Sequence, residues 1–95
     1  MKFAFLIMGD FNPELDRAEI QSGNAQMVGV STIEQACTVA KELCQNGIGC
    51  IELCGAFGEI GAKKIIEATR NKIPVGFVTH LPEQEALYRK TFSKS

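Results

Sequence analysis

Tryptophan is absent from this chain of 95 residues, which has one tyrosine, one histidine and three prolines. Four cysteines are present, but Cys37, Cys44, Cys50 and Cys54 contain no Cys-x-x-Cys pair, so the zinc-finger pattern is missing. No apolar run approaches the ~20 residues of a membrane-crossing helix. The run Phe3 to Met8 is stopped by Gly9-Asp10 before a signal-peptide core could form. Neither charge sign dominates: ten Lys and Arg face eleven Asp and Glu, and the net charge is -1. The basic residues are spread along the sequence, which argues against a nucleic-acid partner. No stretch is polar or repetitive enough for disorder, so one domain over residues 1–95 without an internal linker is expected. The expected compartment is the cytoplasm, with reduced thiols.

The residues present are arranged as alternating strands and helices. Phe3 to Met8 is a continuous apolar run of the kind buried in parallel sheets. Ala25 to Val30 reads as a second strand. Ser31-Thr32-Ile33-Glu34 then reads as a capping box, opening a helix whose apolar stripe is Ile33, Ala36, Cys37, Ala40, Leu43 and Cys44. Asn46-Gly47 ends that helix. Ile48 to Cys54 is a third strand, Glu59 to Asn71 a second helix, Val75 to Thr79 a fourth strand, and a last helix runs from near Pro82 toward Phe92.

This order predicts an α/β fold with a mainly parallel sheet of about four strands and right-handed βα repeats. Residues 10–24 allow either a short helix from Asn12 or a hairpin, and an antiparallel edge hairpin within about 18–30 fits the turn residues Ser22-Gly23-Asn24 better. Successive crossovers in one direction put both helices on one face. Part of the other face would then be bare, which predicts a homo-oligomer.

In open parallel sheets, ligands bind beyond the carboxyl ends of the strands. Four segments gather there: Gly9-Asp10, Ser31-Thr32, Cys54 to Glu59, and Thr79-His80. The loop Gly55-Ala56-Phe57-Gly58 feeds a helix whose free amides suit a phosphate or carboxylate, though it is neither a P-loop nor a dinucleotide fingerprint. Glu59 argues both ways, because a carboxylate in the first turn can satisfy those amides itself. The expected ligand-binding set is Asp10, Gly55, Ala56, Phe57, Gly58, Glu59, Thr79 and His80, for an anionic metabolite.

Glu52 is the odd acid in an apolar strand, and alternation puts it on one face with Cys50 and Cys54. It reads as a proton-handling group near the site or as a side chain facing solvent or an interface. His80 could be an acid or base, with Cys54 as nucleophile, in an alternative enzymatic reading. Equally, His80 could only bond the start of the last helix. No metal site and no cofactor follow from the sequence.

The segments IELCGAFGEIGAKKIIEAT and IPVGFVTHLPEQ, with the opening MKFAFLIMGD and the stretch MVGVSTIEQA, resemble an uncharacterised family of short bacterial proteins. The likeness spans nearly the whole length. It implies a stand-alone, single-domain bacterial protein and supplies no activity.

Overall fold

The computed structural model describes residues 1–93. Five strands form one sheet: β1 (Phe3–Met8), β2 (Arg17–Ile20), β3 (Ala25–Val30), β4 (Cys50–Leu53) and β5 (Val75–Phe77), in the order β2-β3-β1-β4-β5. β1 pairs in parallel with β3 and β4, β4 pairs in parallel with β5, and β2 runs antiparallel to β3 at the edge. The fold class is therefore α/β and mostly parallel, with the edge hairpin adding a fifth strand to the four expected. Gln21 (φ 51°), Ser22 (φ 59°) and Gly23 (φ 93°) are all left-handed in the hairpin turn, a conformation that short polar residues and glycine tolerate best.

Helix α1 spans Ile33–Gln45 and α2 spans Gly58–Ala68. The cap of α1 lies one residue later than the sequence suggested. Thr32 Oγ1 accepts from Gln35 N at 3.0 Å, and Gln35 Oε1 reaches back to Ser31 N at 2.8 Å. Gln35 thus takes the role expected of Glu34. A short 3₁₀ turn, Gly55–Phe57, leads into α2. A second, Pro82–Gln84, leads into α3 (Glu85–Phe92).

Alternation along the strands divides the sheet into two unlike faces. Ala4, Leu6, Val28, Val30, Ile51 and Leu53 are buried against Ala36, Val39, Ala40 and Leu43 of α1 and Ala62 and Ile65 of α2. α1 and α2 also touch each other on this face. Gly61 permits their approach, since a Cβ there would meet Phe57 Cβ at 3.0 Å and Ile33 Cδ1 at 3.3 Å. The intervening residues Phe3, Phe5, Ile7, Met27 and Cys50 belong to the opposite face, which has no helix over it and leaves Phe3 45% and Met27 47% exposed.

The one-layer core makes its central strand the sensitive one. Leu6→Ala should lower unfolding free energy by about 2–5 kcal/mol. Ile60→Ala, at a residue 77% exposed, should stay within about 0.5 kcal/mol. Urea midpoints at constant slope would measure both.

Candidate functional site

The segments beyond the carboxyl ends of the strands are closely bonded, mostly to one another. Cys54 shows how. Its amide donates to Leu6 O at 3.0 Å, while its carbonyl turns away to accept from Phe57 N at 3.1 Å. Its Sγ accepts from Met8 N at 3.3 Å, standing in for a ladder carbonyl where the strand bends into the 3₁₀ turn. Phe57 is 5% exposed and belongs to the core, so within the expected binding loop its side chain faces inward. Gly55 lies 3.3 Å (from an ideal Cβ) from Val78 O, which ties the loop to the segment after β5.

Gly58 has φ +62°, and a Cβ there would meet nothing within 4 Å. Glu59 is exposed and pairs with Lys63 Nζ at 3.6 Å, so it does not cap its own helix; no side chain caps α2. Asp10 and Thr79 are exposed at the same edge.

His80 is tied to the last helix. Its Nε2 lies 2.6 Å from Glu85 Oε1, and its ring stacks on Tyr88 at 3.9 Å with 7° between planes. Arg89 holds the other carboxylate oxygen of Glu85 at 3.1 Å. These bonds hold the Glu85 carboxyl below the usual carboxylate range, the bond from His80 being the larger cause and that from Arg89 the next. No hydrogen bond joins His80 to Cys54 among the described residues. Nor do three His, Cys, Asp or Glu side chains there gather closely enough to hold a metal ion.

Glu52 is on the open face of the sheet, in a row across four strands formed by Met27, Phe5, Glu52 and Gly76, with Ala18 at its end. Its carboxylate lies over Gly76, where an added Cβ would be 2.9 Å from Oε2. Cys50 Sγ lies 3.7 Å from Glu52 Oε1. Burial pushes the Cys50 thiol up, and the adjacent Glu52 charge pushes it further, so the sulfur stays protonated. Glu52 makes no ion pair among the described residues. Phe11 closes one end of this face, its ring over Gly29, where a Cβ would meet Phe11 Cγ at 2.6 Å. The rest is open.

On the helix side, the fold gathers charges that the sequence scatters. Lys41, Lys64, Arg70 and Lys72 line an open depression of about 670 Å³ between α1 and the end of α2, together with Cys37, Cys44 and Glu67. None of the four cations is in an ion pair among the described residues.

The geometry defines a class: a two-layer α/β domain with helices on one sheet face, an apolar opposite face and an exposed C-terminal helix. Within that class, the chain belongs to the family of unknown function DUF6506, which it matches over residues 1–93. No curated protein and no solved structure matches it. No helix among the described residues is long and apolar enough to cross a membrane.

Residues that sequence reasoning passed over include Glu85 and Tyr88, whose spacing of five and eight from His80 offered a signal, and the four cations of the groove, which offered none. The Glu85 bond has a pH signature. Because its folded value is depressed, its stabilisation is complete above the ordinary carboxylate range and is lost only as pH falls through the lowered value. Carboxyl NMR should show Glu85 titrating below the other glutamates, and His80→Phe should move its midpoint upward.

Proposed function

We propose that this chain works as an assembly module whose open sheet face binds another copy. The single observation that supports this is the sheet face without a helix over it, where Phe3 and Met27 are exposed and Phe5 and Ile7 half-buried, on a mostly parallel sheet. Such sheets are ordinarily covered on both faces, because βα crossovers place helices there and their strands are apolar on both sides. Contiguous exposed apolar surface on that scale marks an interaction site. Glu52 in the middle of the face gives the interface a fixed polar point. Native mass spectrometry at micromolar concentration should find a homo-oligomer, and Met27→Asp should weaken association at least tenfold, about 1.4 kcal/mol. A wild-type monomer would refute the reading.

A second reading has its own observation. Lys41, Lys64, Arg70 and Lys72 face one groove in no ion pair among the described residues, and a cleft where four cations outnumber a single carboxylate, Glu67, concentrates anions. An anionic small molecule would be held there, on the helix layer, instead of at the strand edge between Asp10, the Gly55–Glu59 loop and His80. Isothermal titration with phosphorylated and carboxylated metabolites separates the two places. Lys64→Ala with Arg70→Ala should abolish binding at the groove and leave an edge site intact, whereas Gly58→Val should do the reverse.

A further inference from the structure

Helix α3 is the least supported element of the protein. It has eight residues, and none of them is buried. Isolated helices shorter than about 12–15 residues are marginal in water, since too few hydrogen bonds follow the costly first turn. Its side-chain contacts are local: His80 with Glu85 and Tyr88, Arg89 with Glu85, and Tyr88 with Phe92 at 5.7 Å between ring centroids. At about 100° per residue, Leu87, Thr91, Tyr88 and Phe92 fall within an arc of roughly 140°, one apolar stripe. That stripe faces water: Leu87 is 58% exposed and Phe92 76%. One chain therefore has two unpartnered apolar surfaces, a sheet face without a helix and a helix without a sheet.

We infer that two copies exchange these elements, α3 of each lying on the open sheet face of the other; this rests on the reading of that face as an assembly surface. Charge supports the match. Among strand residues on the open face, Glu52 is the one ionisable carboxylate, and it is in no ion pair among the described residues. Lys90 flanks the α3 stripe beside Leu87 and is likewise in no ion pair among the described residues. Docking the helix brings a cation toward a half-buried acid.

Area supports it too. Five strands spaced ~4.8 Å apart, at ~3.3 Å per residue, make a face of roughly 400 Å². A standard interface takes about 800 Å² from each partner, so sheet faces alone fall short. The helix adds what its exposed apolar side chains still present to water, most of Phe92 at 76% exposed and part of Tyr88 at 41%. The exchange is reciprocal and closes on itself as a two-fold dimer, leaving neither surface free to propagate a filament. An intramolecular alternative is opposed by the clasp at His80, which holds α3 with every residue exposed.

The chain carries its own reporter, because Tyr88 is its single tyrosine and tryptophan is absent. Dimerisation should shield Tyr88 emission from acrylamide as concentration rises. In native mass spectrometry and sedimentation, the arm variant Leu87→Asp/Phe92→Asp and the face variant Met27→Asp should each raise the dimer dissociation constant at least tenfold. Both alter residues exposed in the single copy, so circular dichroism, and the urea midpoint measured at concentrations where the wild type is monomeric, should stay near wild type. Mixing the two variants should restore dimers above the level of either alone, because one intact helix then meets one intact face. If the wild type dimerises and Met27→Asp disrupts it while the arm variant dimerises normally, the exchange is overturned and the assembly reading stands. A wild-type monomer, or Tyr88 shielded equally at every concentration, overturns the exchange.

Discussion

The right-handed crossover from β3 to β4 and the next from β4 to β5 both step toward the same edge of the sheet, so α1 and α2 lie on one face. Most other features depend on that geometry. The helices cover Ala4, Leu6, Val28, Val30, Ile51 and Leu53, which supply the core. The crossover from β1 to β3 contains the edge hairpin and no helix, so nothing returns to cover the other side. A small chain forms only one layered core this way, and Phe3, Phe5, Ile7 and Met27 are apolar residues left outside it. The bare face is thus a consequence of connectivity, and its composition of Phe3, Phe5, Ile7 and Met27 is the ground on which association there is proposed.

Within that face, Glu52 and its neighbours form a local arrangement that makes sense only with the carboxylate in place. Gly76 leaves the space the acid occupies, and the neighbouring Cys50 thiol is held protonated by burial and by the acid's charge. A half-buried carboxylate on an apolar surface is costly unless something compensates it. Inside the single copy that compensation is a weak thiol contact. No cation pairs with Glu52 among the described residues, so in the proposed association a partner that brings one would be favoured over a partner that brings only apolar surface.

Much of the fold was legible from the sequence for identifiable reasons. The runs at Phe3 to Met8 and Ala25 to Val30 matched their strands, the first because a continuous aromatic and aliphatic run suits a central strand and the second because the capping residues at Ser31-Thr32 end it. The strand expected at Ile48 to Cys54 is shorter, Cys50–Leu53, because Cys54 gives its carbonyl to the 3₁₀ turn and meets the ladder only through its amide and its sulfur. The cap moved from Ser31 to Thr32 because both hydroxyl residues suit the position, and Gln35 decides between them. Strand order was beyond local patterns, being set by which crossover skips β1. For the site, sequence reasoning found the loops at the strand ends, but not that Glu59 turns to Lys63, nor that four cations separated by up to 31 positions line one groove. Long-range gathering of side chains has no signature in spacing.

The two proposed surfaces do not compete. The cationic groove is built from the outer sides of α1 and α2, whereas the open face lies across the sheet from both helices. Association through the open face would leave both grooves of a two-fold dimer facing outward and accessible. It would also take α3 out of water without moving any residue of the groove, since α3 leaves the sheet from β5 by way of His80. The bond from His80 to Glu85 and the stack on Tyr88 then set the direction in which the helix departs. His80 is accordingly best understood as the joint between sheet and arm: it fixes where the C-terminal helix can reach, and hence which face, its own copy's or another's, the helix can cover.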